Sequence, residues 1–394
     1  RSSMSTDRQY DIVVFGASGY TGRLVAEYLH ERYGDAALSW AMAGRSLDKL
    51  AAVRTEIGVS DTIPLIAVNS DDPDSVAAMV TSTRVVITTV GPYQLYGNEL
   101  VKQCAEAGTD YVDLSGEPGW MHETIAAYSA AAKASGARIV HSCGFDSIPF
   151  DLGIFHLQEH AKAVTGKTVS RVKGRVKSMN GAFSGGTIAS LRATMTAAAD
   201  NPSLVGILIN PFALTEGFSG PEQPDGNKPV YEEELNSWSA PFVMAPINTK
   251  NIHRSNFLMG HPYGEDFSYD EMLLTGDGDK GKAAAEFVAA DDSLAKSPLQ
   301  PGEGPSKEER ENGSYEAIFV AQTESGDVLM TSVTGDRDPG YGSTSKMLAE
   351  SALCLLQNPE LASGGIWTPA AAMGQALIDR LEANAGISFK VEIP

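Results

Sequence analysis

Ten residues near the N-terminus join a strand pattern to a helix pattern through three glycines: Val13-Val14-Phe15-Gly16-Ala17-Ser18-Gly19-Tyr20-Thr21-Gly22. Residues 10–15 are mainly β-branched or aromatic, which is typical of a central parallel strand. Downstream, apolar residues recur at helical spacing, namely Leu24, Val25, Tyr28 and Leu29. The stretch therefore predicts a buried strand, a tight turn and a helix, in that order.

The three glycines are spaced as G-x-x-G-x-x-G, and each has a physical purpose in such a turn. One makes the turn tight, one lets the backbone approach a pyrophosphate, and one lets helix and strand pack closely. The helix N-terminus adds unpaired N–H groups and a positive dipole end. We predict a dinucleotide site formed by Gly16, Ala17, Ser18, Gly19, Tyr20, Thr21 and Gly22. The alternative is an ordinary tight turn, which the position between strand and helix disfavours.

The choice of nucleotide is indicated at the end of a second strand, over residues 38–43, which runs into Gly44-Arg45-Ser46. NAD-binding proteins of this architecture carry an acidic residue here, which accepts from the ribose 2′-hydroxyl. A guanidinium instead binds a 2′-phosphate through two parallel hydrogen bonds. Arg45 and Ser46 therefore predict NADP(H), and the alternative for Arg45 is a solvated surface cation.

Strand and helix patterns continue to alternate up to residue 141, with further strands at 63–68, 84–90, 111–114 and 138–141. Six strands in this alternation predict an α/β fold with a doubly wound parallel sheet of the Rossmann type, within a first domain over residues 1–150. Asn69, Asp71 and Asp72 follow the third strand, where they border an adenine ring or cap the next helix.

The nicotinamide end is predicted where the fourth and sixth strands end, because ligands of such sheets bind outside the carboxyl ends of the strands. Gly91, Pro92 and Tyr93 follow the fourth strand and are predicted cofactor contacts. Tyr93, His141 and Asp146 are candidate proton donors, and the alternative for each is a structural hydrogen bond. Since no tyrosine has a lysine four residues later, the tyrosine–lysine pair of short-chain dehydrogenases is excluded.

A second domain is predicted over residues 151–340, because the regular alternation stops there. Residues 168–177 alternate strictly and place Arg171, Lys173, Arg175 and Lys177 on one face, as in a half-buried strand of a mixed or antiparallel sheet. That face either receives an anionic substrate or is solvated. Residues 315–323 and 328–334 predict a hairpin through Ser325-Gly326.

Three further segments complete the second half of the chain. Ser184-Gly185-Gly186-Thr187 opens a helix whose start binds an anion or is simply capped. Pro/Gly-rich segments at 221–229 and 298–313 are predicted surface loops or a lid. Residues 341–394 are predicted to form helices that pack back on the first domain.

Composition narrows the class of protein. The formal net charge of −20 excludes nucleic acid as a partner, because a phosphate backbone would be repelled. No apolar run approaches the roughly 20 residues of a membrane span. The apolar run at 204–214 is predicted core or subunit interface, with docking on lipid or an acyl chain as the alternative. Three cysteines without metal or disulfide spacing predict a cytoplasmic protein with no metal site.

Several motifs together resemble the saccharopine dehydrogenase-like oxidoreductases, in the branch that includes the trans-acting enoyl reductases of mycobacterial glycolipid synthesis and a vertebrate lipid-droplet relative. The resemblance covers nearly the whole chain. Besides the glycine loop and Ala43-Gly44-Arg45, it is carried by Val90-Gly91-Pro92-Tyr93, Tyr111-Val112-Asp113-Leu114-Ser115-Gly116-Glu117, Cys143-Gly144-Phe145-Asp146-Ser147-Ile148-Pro149, Ser184-Gly185-Gly186-Thr187, Pro301-Gly302-Glu303-Gly304-Pro305 and Asp338-Pro339-Gly340-Tyr341.

The resemblance implies an NADP-binding Rossmann domain and an α+β domain that covers the nicotinamide and forms a homodimer. It also implies that Cys143, Phe145 and Asp146 lie at the nicotinamide end. The implied reaction is hydride transfer from NADPH to an enoyl or carbonyl/imine group of an acyl or lipid substrate, with lipid or peripheral membrane association as a further expectation.

Three other functions stay open from the sequence. The first is a saccharopine-type amino acid reductase. The second is an acyl-phosphate reductase that uses Cys143 as a nucleophile activated by His141 or a nearby cation. The third is a non-catalytic NADP-binding protein at a lipid surface.

Overall fold

A computed structural model describes residues 7–34, 36–181, 185–291 and 304–394, with the backbone alone at 185–188. Ser184 and residues 301–303 of two predicted motifs lie outside the described residues.

The first sheet has seven parallel strands in the order β13-β6-β5-β4-β1-β2-β3. This arrangement confirms the predicted doubly wound parallel sheet. Apart from the edge strand β3, whose residues are partly exposed, its strands are mostly buried, as a sheet covered on both faces requires. Their bounds are β1 (Tyr10–Phe15), β2 (Trp40–Gly44), β3 (Leu65–Ala67), β4 (Thr83–Thr88), β5 (Asp110–Val112), β6 (Arg138–Val140) and β13 (Gly365–Trp367).

Helices connect these strands, and several of them begin at a side-chain cap or end at a glycine. Ser46 and Asp72 cap α2 and α3 with their side chains, and Gly108 and Gly136 end α5 and α6 in the left-handed conformation. The connecting helices are α1 (Tyr20–Tyr33), α2 (Leu47–Glu56), α3 (Pro73–Ser82), α4 (Tyr93–Tyr96), α5 (Asn98–Ala107) and α6 (Pro118–Ser135).

The second sheet is mixed, as predicted, in the order β14-β12-β11-β7-β10-β9-β8. β7 and β10 run parallel, and the other neighbours run antiparallel. The predicted hairpin is confirmed as β11 and β12. The bounds are β7 (Arg171–Asn180), β8 (Val230–Glu232), β9 (Ser237–Pro241), β10 (Ser268–Gly276), β11 (Ser314–Gln322), β12 (Val328–Gly335) and β14 (Ile387–Glu392).

The cations on the basic face of β7 are held in ion pairs, and they range from buried to exposed along the strand. Arg175 is buried and pairs with Glu232 at 2.8 Å and with Asp270 at 3.1 Å. Lys173 pairs with Glu232 at 3.1 Å and with Glu234 at 2.9 Å. The predicted solvated face is therefore wrong for the buried Arg175, whereas Lys173 is paired and still 30% exposed. Carboxylates on neighbouring elements already compensate both charges.

The remaining helices follow the sixth strand of the first sheet, and among them they pack against both sheets. They are α7 (Ile148–Thr165), α8 (Gly185–Asp200), α9 (Ser203–Ile209), α10 (Ala245–Leu258), α11 (Gly278–Ala290), α12 (Lys307–Asn312), α13 (Gly342–Gln357) and α14 (Pro369–Asn384). The C-terminal segment also contributes a strand to each sheet, β13 and β14. The hydroxyls of Tyr28 and Tyr33 on α1 donate to the buried carboxylate of Glu350 on α13, at 2.7 and 2.5 Å.

Candidate functional site

A cavity of about 700 Å³ lies at the carboxyl ends of β1, β2 and β4 and extends to elements that follow the first sheet. One half is lined by the glycine loop and by the ends of β2 and β4. The other half is lined by α8, α9 and the start of α10. This position is where an open α/β sheet binds its ligand, at the point where strand order reverses.

The glycine loop has the geometry that a pyrophosphate needs. Gly16 adopts a φ of +87°, and a Cβ on Gly22 would lie 1.9 Å from the Gly16 carbonyl oxygen, so both positions require glycine. Gly19 precedes α1 without a side-chain cap, which leaves first-turn N–H groups for a ligand. Gly16, Ser18, Gly19, Tyr20 and Thr21 line the cavity, whereas Ala17 and Gly22 pack behind it.

At the far end of this half, Arg45 lines the cavity and is exposed. Among the described residues no carboxylate pairs with its guanidinium, which leaves it available to an anion. Ser46 accepts the Lys49 N–H as the cap of α2 and does not line the cavity. Asn69 and Asp71 line the same end of the cavity, where the sequence predicted a border to an adenine ring. Asp72 instead caps α3, which was the predicted alternative.

At the opposite end the cavity reaches Gly91, Tyr93, Phe145 and Asp146, but not Pro92. The Tyr93 hydroxyl donates to the Thr88 carbonyl at 2.9 Å and accepts the Leu114 N–H at 3.0 Å. Its one proton is therefore already used by the backbone. This bonding favours the structural alternative for Tyr93.

His141 is buried behind the cavity and is held by Asp113. Its Nδ1 lies 2.7 Å from Asp113 Oδ2, and its Nε2 lies 3.0 Å from the Thr124 hydroxyl. Asp113 also accepts from the Tyr111 hydroxyl and from the N–H groups of Ser115 and Ser142. The pair orders the ends of β5 and β6 and does not touch the cavity.

Asp146 lines the cavity, as Tyr93 does, and its carboxyl is the second candidate proton donor at this end. Burial raises the pKa of its carboxyl to about 7, and the charges of Asp113 and Glu117 act in the same direction. A Cβ at Gly116 would lie 2.3 Å from Asp146 Oδ2, so the glycine makes room for the carboxyl. Asp146 can hold a proton near neutral pH beside the cavity.

Cys143 is fully buried and does not line the cavity. Burial raises the pKa of its thiol well above the usual range, and the charge of Asp113 adds to the rise. A thiol in this setting stays protonated and is a poor nucleophile. The acyl-phosphate alternative is therefore disfavoured.

Glu117 joins the two halves of the cavity, and only its place in a motif signalled it in the sequence. Its carboxylate accepts the N–H groups of Tyr93 and Gln94, both at 2.9 Å, and the Ser190 hydroxyl at 3.1 Å. Thr194 lies one helical turn after Ser190 on α8, and its hydroxyl accepts from the Gln94 side-chain amide at 3.2 Å. The loop after β4 is thereby tied to α8.

The loop before α12 crosses the glycine loop. The Tyr20 hydroxyl bonds to the Pro305 carbonyl and to Arg310, whose guanidinium also lies over the Tyr20 ring. The Tyr341 ring also packs against the Tyr20 ring in a T-shaped contact, with the two ring centroids 4.7 Å apart. Tyr20 is therefore fixed as a wall of the cavity.

The half of the cavity beyond Asp146 is apolar. It is lined mainly by Leu191, Met195, Leu208, Val243, Met244 and Ile247. Among the described residues that line the whole cavity, Arg45 at the opposite end is the only cation.

Comparison with known proteins defines the class. Residues 12–140 match the family described as Saccharopine dehydrogenase NADP binding domain, so the chain is an NADP-dependent oxidoreductase with a Rossmann-type cofactor domain. A Mycobacterium tuberculosis protein named as a candidate trans-acting enoyl reductase is 39% identical over 415 residues, which cover 98% of each chain. The trans-acting enoyl reductase of Mycobacterium ulcerans is 34% identical over 407 residues, which cover 96% of each chain. The chain belongs to this saccharopine dehydrogenase-like family of trans-acting enoyl reductases, which confirms the resemblance seen in the sequence.

A solved structure shows the same overall fold. Apo saccharopine dehydrogenase (L-Glu forming) from Saccharomyces cerevisiae superposes with a TM-score of 0.57 at 11% identity, covering 97% of this chain and 99% of that one. Within the part of the chain that the structure describes, no helix is both long and apolar enough to cross a membrane.

Proposed function

We propose that this protein is an NADPH-dependent enoyl reductase that reduces the activated carbon–carbon double bond of an acyl substrate. The observation that carries the proposal is the two-part cavity, whose nucleotide half continues into an apolar half past Asp146. An apolar wall favours a hydrocarbon chain and offers no charge for a carboxylate.

The cofactor is proposed to lie with its pyrophosphate on Gly16, Ser18 and Gly19 and its 2′-phosphate on Arg45. Its nicotinamide then lies near Gly91, Tyr93 and Phe145, and Tyr20 and Thr21 lie between the pyrophosphate and the nicotinamide. When bound there, NADPH supplies the hydride. We propose that residues 1–150 hold this cofactor, that 151–340 supply the substrate wall, and that 341–394 fasten the two parts together.

Asp146 is the proposed proton donor. Reduction of an enoyl thioester places a hydride on the β carbon and leaves negative charge on the α carbon and the carbonyl oxygen, so a proton must be delivered. A carboxyl with a pKa of about 7 is suited to this task near neutral pH. Phe145 and Tyr93 are proposed to orient the ring of the cofactor and to exclude water.

A saccharopine-type substrate carries several carboxylates and would need cations beside the reacting carbon. Among the described residues, the apolar half offers none. Cytoplasmic location, lipid association and a homodimer stay predictions of the sequence.

The test is NADPH oxidation, followed at 340 nm, with three acceptors in parallel: a trans-2-hexenoyl thioester, a 2-oxo acid with glutamate, and an acyl phosphate. The proposal expects turnover with the enoyl thioester alone. Turnover with either of the other acceptors, and none with the thioester, would contradict it.

A further inference from the structure

The short helix α9 has an unusual composition for its surroundings. Its sequence is Ser-Leu-Val-Gly-Ile-Leu-Ile, yet none of its residues is buried. Val205 is 44% exposed and Ile209 is 75% exposed. A helix that is apolar on every side is normally buried. Such exposed apolar surface marks a binding site.

Two contacts attach α9 to neighbouring helices. Leu204 lies against α6, where Gly119 leaves room for it: a Cβ at Gly119 would come within 2.4 Å of the leucine Cδ1. From the inner side, the ammonium of buried Lys250 donates to the Leu208 carbonyl at 2.6 Å and to the Pro246 carbonyl at 3.1 Å. The helix is therefore fixed as a partition.

A cavity lies on each side of this partition. Leu208 faces the 700 Å³ cavity of the site. Ser203, Gly206 and Ile207 face a second cavity of about 550 Å³, whose other walls come from α6 and residues 210–219. At 100° per residue, Val205 and Ile209 lie between these two faces. The exposed apolar side chains of Val205 and Ile209 thus lie on the outside of α9, between the faces that line the two cavities.

The second cavity has polar lining residues, among them Asn210, Thr215 and Glu216, but its apolar walls suit a hydrocarbon chain. They include Ile125, Ile207, Phe212, Leu214 and Phe218. Gly206 faces the same space, and a Cβ there would meet nothing within 4 Å. The backbone at position 206 does not require glycine, so a larger side chain there would extend into the cavity without strain.

We propose that the second cavity is a distal subsite for the alkyl chain of a long acyl substrate, which passes over Val205 and Ile209 from the reducing end of the site. This inference rests on the proposed enoyl reductase activity, because it assumes that the apolar half of the main cavity holds the reacting end of the same chain.

The test compares the binding of hexanoyl-CoA and dodecanoyl-CoA to the full chain with NADP⁺ present, by calorimetry. These saturated thioesters bind without turnover, so the readout is independent of activity. Each buried methylene contributes about fourfold in affinity. We expect dodecanoyl-CoA to bind at least about tenfold more tightly than hexanoyl-CoA.

Two variants fill the second cavity from opposite walls, Gly206→Phe on α9 and Ala126→Phe on α6, and Gly206→Ala is the matched control. Both phenylalanine variants are expected to bring the ratio of affinities close to one while hexanoyl-CoA binding stays within about twofold. The alanine variant should keep the wild-type ratio. A ratio near one in the wild type, or an unchanged ratio in both phenylalanine variants, overturns the proposal.

Further outcomes distinguish the distal subsite from the proposed enoyl reductase activity and from binding to a lipid surface. If the wild type shows the length preference but does not reduce a hexenoyl thioester, the subsite stands and the enoyl reductase proposal fails. If it reduces the hexenoyl thioester without any length preference, the activity stands and the subsite fails. If the wild type sediments with phosphatidylcholine vesicles and Ile209→Asp abolishes this, α9 binds a lipid surface and the subsite proposal is overturned.

Discussion

Replacing Asp146 by asparagine removes the proposed proton donor while keeping the shape of the side chain. Asp146 reaches the cavity, and burial raises the pKa of its carboxyl to about 7. Because the protonated form is the donor, activity is present below about pH 7 and falls as pH rises through that value. Above it, the protonated fraction, and with it kcat/KM, drops tenfold per pH unit.

Loss of a general acid typically costs 10²- to 10⁴-fold in rate, so Asp146→Asn is expected to lower kcat/KM for an enoyl thioester by about a hundredfold or more. Its remaining activity should no longer fall above pH 7. The assay is NADPH oxidation at 340 nm from pH 5.5 to 9, at low substrate concentration, so that the profile reports the free enzyme.

Asp151 supplies a matched control. Burial raises the pKa of its carboxyl to about 7 as well, but its oxygens accept from Ser255 and from the Ala370 N–H, and it does not line the cavity. Asp151→Asn should lower stability and leave the pH profile of kcat/KM in place. The reasoning is refuted if Asp146→Asn keeps the wild-type rate and profile, or if Asp151→Asn abolishes the same limb.

Three further variants test other parts of the site and fold. Arg45→Asp should weaken NADPH binding by about tenfold or more while changing NADH binding far less, because charge-assisted hydrogen bonds to the 2′-phosphate are lost. Calorimetric titration of both nucleotides measures this, and equal losses of affinity would show that Arg45 does not bind the 2′-phosphate. Tyr93→Phe should lower the free energy of unfolding in urea by about 1–2 kcal/mol, since its hydroxyl joins two backbone groups, and change kcat by less than about tenfold; a hundredfold loss of kcat at unchanged KM would make Tyr93 the donor. Burial raises the pKa of Glu271 from 4.5 to about 8, so the unfolded chain releases this proton at lower pH than the folded chain does. The free energy of unfolding of the wild type should therefore fall as the pH rises between those two values. In urea unfolding from pH 4.5 to 9, Glu271→Gln should make this fall less steep, and equal slopes for the two proteins would contradict the prediction.

Strongly patterned segments allowed the first sheet to be predicted from the sequence. Residues 10–15 and 84–90 are apolar runs between turn signals, and the glycine loop lies where strand and helix patterns meet. β13 was missed because three residues, Gly365–Trp367, carry too little periodicity and pair with a strand more than 200 positions earlier. The pairing partner of so short a strand is decided by tertiary packing.

Individual side chains of the site were harder to predict than the loops that carry them. Tyr93, His141 and Asp146 all follow strand ends, but only the fold shows that backbone groups bind the Tyr93 hydroxyl and that Asp113 holds His141 outside the cavity. Glu117 lacked any local pattern because its partner Ser190 belongs to a helix beyond the first sheet. The apolar run at 204–214 shows the same limit: predicted as core or subunit interface, it has no buried residue in α9 and is buried at Phe212 and Leu214.

Transfer of deuterium from NADPH labelled at C4 to the acyl product would show directly whether this protein reduces an enoyl group. The protein is incubated with a trans-2-hexenoyl thioester and, separately, with each of the two C4-deuterated isomers of NADPH, and the product is analysed by mass spectrometry. We expect one deuterium on the β carbon of the saturated thioester from one isomer and none from the other. Consumption of labelled NADPH with no deuterium in the acyl product from either isomer would contradict this expectation.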